Sequence, residues 1–147
     1  MPKEIEYKFL IHPERLPALG PGRTFIQGYI CPRPTVRVRI STSGTTSIAY
    51  LTIKGPGLIE RDEFEYEIPV DHARQMLPLC GKAVLEKIRY VHNGWEIDEF
   101  LGRHKGLWLA EYELHSADAK LPPLPDWIKE DVTGRTEYSN STLALQP

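Results

Sequence analysis

Apolar and polar residues alternate with a period of two along most of this chain, and turn signals cut the alternation into short runs. The breaks are Pro32 to Pro34, Ser43-Gly44, Gly55-Pro56-Gly57, Asn93-Gly94 and Gly102 to Gly106. Asn93-Gly94, between two alternating runs, is a two-residue hairpin signal. The runs predict about eight strands, near 3–11, 23–31, 35–42, 47–54, 58–68, 83–92, 95–101 and 107–116. Two or three helices fill the rest. One is predicted over 72–80 with Asp71 as N-cap and Gly81 as its end, a short one near 126–131 after the proline-rich 121–125, and a helical turn near 13–19. No internal repeat, low-complexity tract or long linker interrupts the chain, so 1–147 read as a single domain.

Side chains on a strand point alternately to opposite faces, so each run can be sorted by parity. Glu4, Glu6 and Lys8 share one face of the first strand, with Ile5, Tyr7 and Phe9 on the other. Arg37 and Arg39 alternate with Val36, Val38 and Ile40; Tyr50, Thr52 and Lys54 with Ala49, Leu51 and Ile53. Arg61, Glu63, Glu65 and Glu67 oppose Phe64, Tyr66 and Ile68, while Lys87 and Arg89 oppose Ile88 and Tyr90. Asp98 shares a face with Glu96 and Phe100, and Glu111 and Glu113 oppose Ala110, Tyr112 and Leu114.

A half-exposed antiparallel sheet with a solvated polar side explains the alternation. It does not explain why the charges segregate by strand, Arg-x-Arg and Lys-x-Arg on some and Glu-x-Glu on others. Closure of the strands does: the polar faces converge inward, the apolar faces pack outward under the helices, and sheet edges disappear. The expected fold is therefore mainly β with some α, a closed eight-stranded antiparallel β-tunnel with two or three helices packed outside.

Composition narrows the partners. Formal net charge is −2, from 18 Lys+Arg against 20 Asp+Glu, so no global field favours nucleic acid or an anionic membrane. The apolar runs fall far short of the ~20 residues needed to cross a bilayer, and the start MPKEIEYKF carries no signal-peptide core, so a cytoplasmic location is expected. Cys31 and Cys80 lack metal-binding spacing and read as small buried side chains. His12, His72, His92, His104 and His115 form no spaced pair on an inner face and read as surface or capping residues.

A dry interior lined with charges would cost several kcal/mol for each unpaired one. A water-filled tunnel holding a highly charged ligand resolves that cost. Lys8, Arg37, Arg39, Lys54, Arg61, Lys87 and Arg89 suit a chain of phosphates, guanidinium groups binding oxygens in pairs and ammonium groups acting as point charges. The carboxylates suit Mg²⁺ or Mn²⁺, hard cations that bridge to phosphate oxygens. Same-face residues two apart on a strand lie about 6.5–7 Å apart at Cα, so Glu4 with Glu6, and Glu111 with Glu113, can converge on metal ions, two in number. Acidic pairs beside a polyanion fit metal-assisted phosphoryl transfer to water.

These residues resemble the CYTH, or triphosphate tunnel metalloenzyme, superfamily. The resemblance begins at Glu4-Ile5-Glu6-Tyr7-Lys8 and runs in order through Gln27-Gly28-Tyr29, Arg37-Val38-Arg39, Leu51-Thr52-Ile53-Lys54-Gly55, the acidic strand at 61–67, Lys87-Ile88-Arg89-Tyr90 and Trp95-Glu96-Ile97-Asp98. It continues through Gly106-Leu107, Ala110-Glu111-Tyr112-Glu113-Leu114, Asp131-Val132-Thr133 and Tyr138-Ser139-Asn140, and so covers essentially the whole chain. It implies a divalent-metal requirement and a substrate with a linear triphosphate. It also implies Glu4, Glu6, Glu111 and Glu113 as metal ligands, with Asp98, Glu63 and Glu65 as additional or supporting carboxylates. The seven basic residues named above would bind phosphate. Glu4, Glu6, Lys8, Tyr29 and Lys87 form the candidate catalytic set, with Tyr29 open to two readings, a proton-transfer group near Lys87 or an aromatic wall.

The leading expectation is hydrolysis of inorganic tripolyphosphate. Alternatives are a class IV-type adenylyl cyclase, a nucleoside or thiamine triphosphatase, and a non-catalytic polyphosphate- or nucleotide-binding module. A homodimer through an outer apolar patch is left open.

Overall fold

The structure, a computed structural model, describes residues 3–57 and 59–145. All eight predicted strands are present: β1 (Lys3–Ile11), β2 (Arg23–Pro32), β3 (Thr35–Ser43), β4 (Thr46–Lys54), β5 (Glu60–Ile68), β6 (Val84–His92), β7 (Trp95–Phe100) and β8 (Trp108–Leu114). Residue 58, the expected start of the fifth, lies outside the described residues. Asn93 and Gly94 take φ of 49° and 82°, the paired positive values that a type I′ hairpin between β6 and β7 demands.

The strands lie in the order β5-β4-β3-β2-β6-β7-β8-β1, and β1 returns to pair with β5, closing an antiparallel barrel. Closure uses only the first part of β1, through Lys3↔Asp62, Glu4↔Arg61 and Ile5↔Glu60. Its last part is taken by a ninth strand, β9 (Ile128–Asp131), through Phe9↔Asp131, Leu10↔Glu130 and Ile11↔Ile128. This corrects the helix expected at 126–131. The open backbone edge of β1 supplies hydrogen bonds more than a hundred residues away in sequence, a partner that local propensity cannot register.

The helices differ from expectation in detail. α1 (Val70–Met76) starts from Pro69, which makes no side-chain capping bond, so Asp71 lies in the first turn rather than at the cap. Pro78 then leads into a 3-10 turn over Leu77–Cys80, ended by Gly81 at φ 60°. Near 13–19 only Pro13–Arg15 coil, because Leu16 precedes Pro17 and is held extended at ψ 142°. α2 (Asn140–Leu145) was not expected.

α1 packs outside, on the outward residues Val38, Ile40 and Ala49. A second outer cluster joins Phe9, Ile11, Trp95, Ile97, Ala110 and Trp127. α2 does something else. Its Leu143 and Ala144 meet Tyr29, Leu85, Phe100 and Leu109, which share the parity of the charged lining, so α2 seals one end of the barrel from within. No helix among the described residues is long and apolar enough to cross a membrane.

Gly28 sits where β2 passes beneath this 3-10 turn. A Cβ there would lie 2.6 Å from Cys80 Sγ and 3.2 Å from Leu77 Cδ2. Gly28→Ala should destabilise the fold by about 1–3 kcal/mol, the usual range for overpacking. Cys80 Cβ, at 3.0 Å, would remain after Cys80→Ala, so thermal melts should show Gly28→Ala/Cys80→Ala recovering part of that loss; equal melting temperatures for the single and double variants would locate the strain elsewhere.

Candidate active site

The inward faces surround a cavity of about 200 Å³, bordered by charged residues from β1, β3, β4, β5, β6, β7 and β8 and by the segment around 132–141. One wall is acidic. Glu4, Glu63 and Glu113 each bring a carboxylate oxygen to within 4.8 Å of the others. The register makes this meeting: Glu4 lies opposite Arg61, Glu6 opposite Glu113, and Glu63 two residues along β5 from Arg61.

The acidic wall carries more negative charge than its neighbours neutralise. Burial and the Glu111 charge push the Glu6 carboxyl up to about 7, against the pull of Lys8 and Lys54. Burial, then Glu4 and Glu63, push Glu113 up to about 7 as well. A hard divalent cation, with its preference for carboxylate oxygen, fits a wall of this kind.

These shifts set a sign for stability. A carboxyl raised above its unfolded value favours the folded state while protonated, and that advantage disappears as pH rises between the two values. Without divalent cations the contribution of Glu6 and Glu113 should therefore fall between pH 4.5 and about 7. Melting at pH 8 should then respond more to added Mg²⁺ than melting at pH 5. An equal response at both would show that the cation does not compete with these protons.

Most cations in the cavity are already matched. Glu4 accepts from Lys54 Nζ at 2.8 Å and Arg61 Nε at 3.0 Å, and Lys54 lies 3.5 Å from Glu63. Lys8 Nζ stands 3.4 Å from Glu111 and donates to the Tyr138 carbonyl at 2.9 Å. Arg37 reaches Glu65 at 3.4 Å and Thr52 at 3.3 Å, while its Nε is buried without a partner.

Arg39 differs from the rest. Its Nε donates to Gln27 Oε1 at 2.8 Å and its guanidinium lies 4.3 Å from the Phe25 ring centre. Among the described residues no carboxylate pairs with it. Burial, with Arg37 and Arg89 nearby, brings it down to about 9.

Asp98 and Lys87 do not border the cavity. Arg89 grips Asp98 with Nε at 2.7 Å and a terminal nitrogen at 2.8 Å, and Lys87 Nζ approaches the same carboxylate at 2.6 Å. Arg89 also reaches Glu96 at 3.0 Å and Glu111 at 3.4 Å. Lys87 then donates to Asn140 Oδ1 at 3.0 Å, and Asn140 is the residue that faces the cavity. Tyr29 borders the cavity and also packs in the apolar seal, its hydroxyl accepting from Gln27 Nε2 at 2.9 Å.

Thus Glu4, Glu63 and Glu113 come together as one cluster, Glu6 and Glu111 lie beside them, and Glu65 faces Arg37. Asp98 is enclosed by Arg89 and Lys87. Sequence reasoning gave no role to Phe25, Gln27, Gly134, Thr136, Ser139 or Asn140. Gln27 and the 138–140 triplet were visible as motif positions, but the Tyr138 carbonyl, as backbone, leaves no residue-type signal.

No family model matches the chain. It is 43% identical to an inorganic triphosphatase of Acetivibrio thermocellus, in an alignment covering 100% of this chain and 96% of that protein. It is 34% identical to an inorganic triphosphatase of Nitrosomonas europaea, covering 97% of each. The solved structure of the inorganic triphosphatase NE1496 superposes with a TM-score of 0.66 at 30% identity, covering 98% of this chain and 95% of that one.

Proposed function

The chain belongs to the inorganic triphosphatases of the CYTH superfamily, and from that premise we propose that it hydrolyses inorganic tripolyphosphate to pyrophosphate and phosphate inside the barrel. One observation carries the reading. One cavity holds arginine nitrogens from which no described residue accepts, the terminal pair of Arg39 and Nε of Arg37, and a carboxylate wall whose Glu6 and Glu113 are raised to about 7 by burial and by neighbouring carboxylates. A polyanion with a divalent cation supplies what each side lacks.

In this proposal Glu4, Glu63 and Glu113 hold Mg²⁺ or Mn²⁺. The bound cation would supply Lewis-acid polarisation of phosphate oxygens and a more acidic water. Arg37, Arg39, Lys54, Arg61, Arg89 and Lys8 line the path of the phosphate chain and stabilise charge that develops on the departing pyrophosphate. Glu6, raised to about 7, is suited to take the proton of the attacking water at neutral pH. Lys87 acts from behind the lining, through Asn140. The proposal includes two ions per chain; a calorimetric stoichiometry of one would reduce the site to the Glu4–Glu63–Glu113 cluster.

The small volume and the scarcity of aromatic surface favour an inorganic chain over a nucleotide. Among the described residues bordering the cavity Tyr29 is the one aromatic, and it is also engaged in the apolar seal. Phosphate release should be measured from tripolyphosphate, ATP and thiamine triphosphate in parallel, with Mg²⁺, with Mn²⁺ and with chelator. The proposal expects fast, cation-dependent release from tripolyphosphate and slow release from the others. Cyclic AMP formed from ATP would replace hydrolysis by cyclisation, and tight binding without turnover would make the chain a binding module.

A further inference from the structure

The hydrogen-bond chain Arg39–Gln27–Tyr29 crosses the floor between β2 and β3. The register sets Gln27 directly opposite Arg39, and Tyr29 follows two residues later on the same face. Gln27 is completely buried. A buried amide is costly unless both its ends are satisfied, and here both are: Oε1 takes the Arg39 Nε proton at 2.8 Å and Nε2 reaches the Tyr29 hydroxyl at 2.9 Å.

The direction of each bond follows from chemistry. A guanidinium can only donate, so the amide oxygen must face Arg39. The amide nitrogen must then face Tyr29, and since it too can only donate, the phenolic oxygen must accept. The Tyr29 O–H is therefore turned away from Gln27. Among the described residues, no group accepts it, and none accepts from the terminal nitrogens of Arg39. Both side chains border the cavity. Phe25 fixes the guanidinium further by lying 4.3 Å from it.

We propose that Gln27 is a positioning residue for the bound polyphosphate: its amide, committed at one end to Arg39 and at the other to Tyr29, directs the free guanidinium N–H groups and the phenolic proton together into the cavity. Gln27 touches no substrate. It acts by removing alternative orientations from two groups that do, so a single amide sets two donors at once.

The inference rests on the proposed hydrolysis for its kinetic consequence, while its binding consequence is independent of turnover. Gln27→Glu keeps the shape and reverses one bond. The introduced carboxylate accepts from Arg39 and also from the Tyr29 hydroxyl, which withdraws the phenolic proton from the cavity and gives Arg39 the counter-charge it lacks. Binding of tripolyphosphate in the presence of chelator, measured calorimetrically, should weaken roughly tenfold or more, the scale of one charge-assisted hydrogen bond. With Mg²⁺, kcat should also fall; Tyr29→Phe should lower it too, and adding Gln27→Glu to Tyr29→Phe should lower it further by less than the Gln27→Glu loss in the wild-type background, the remainder acting through Arg39.

Gln27→Met, similar in volume and unable to form either bond, is the second variant, for use if the carboxylate prevents folding as judged by circular dichroism and melting. It should show the same lack of additivity with Tyr29→Phe. Binding and kcat within twofold of wild type in a folded variant would overturn the proposal, as would fully additive losses or a Tyr29→Phe kcat equal to wild type. If the wild type binds tripolyphosphate in chelator but releases no phosphate with any cation, the hydrolytic reading fails, and the binding comparison still decides whether Gln27 positions Arg39.

Discussion

Glu4→Gln is expected to slow cation-dependent phosphate release by roughly 10²–10³-fold, the scale of losing one group from a pre-organised charge-stabilising site, while tightening tripolyphosphate binding in chelator. The two effects have opposite signs because Glu4 faces both ways. Its carboxylate is one of the three that converge in the acidic cluster. It is also the counter-ion of Lys54 and Arg61, at 2.8 and 3.0 Å. Neutralising it weakens the cluster as a cation site and frees two cations for phosphate oxygens.

Repulsion also changes. Glu4 is among the charges that raise Glu113, so the Glu113 carboxyl should drop from about 7 when Glu4 is neutral. Calorimetry with tripolyphosphate in chelator and a phosphate-release assay with Mg²⁺ read the two effects separately. Turnover near the wild-type rate would remove Glu4 from the cation site. Weaker polyanion binding in chelator would show that Lys54 and Arg61 need Glu4 to hold them in place.

Strand parity made the charged lining legible before any coordinates, because alternation on an antiparallel strand depends only on local geometry. Glu4, Glu6, Lys8, Arg37, Arg39 and Lys54 all border the cavity, as their parity required. Parity alone cannot say which carboxylates meet. That depends on how far neighbouring strands are offset, and the offset brings Glu63 from β5 to Glu4 while leaving Asp98 between Arg89 and Lys87. The two elements that were missed have a common cause. β9 exists because β1 leaves an edge to be paired, and α2 because the barrel end needs apolar residues such as Leu143 and Ala144. Each depends on contacts distant in sequence, which a short window of residues does not contain.

The other large effect concerns stability. Asp98→Asn should destabilise the fold by about 3–5 kcal/mol, the range for removing one partner of a buried ion pair, with little change in cation affinity. Asp98 is fully buried and receives three donated bonds, two from Arg89 and one from Lys87. An asparagine amide could accept only at its oxygen, and its nitrogen would confront another donor. At about 2–4 °C for each kcal/mol in a chain of this size, the melting temperature should drop by roughly 10 °C at neutral pH.

The pH dependence separates this from a metal-ligand role. Burial alone would raise the Asp98 carboxyl, but Arg89 and then Lys87 outweigh it and hold it below its ordinary 3.8. A lowered carboxyl stabilises the fold fully above its unfolded value, and the contribution is lost as pH falls through the folded one. Lys87, brought down to about 7 by burial against the pull of Asp98, takes its proton beside that carboxylate as pH falls, so the gap in melting temperature between wild type and Asp98→Asn should widen as pH drops through about 7 and close only in strong acid. A gap that instead depends on added Mg²⁺ at neutral pH, together with a loss of cation affinity, would make Asp98 a cation ligand and Arg89 its partner only in the cation's absence.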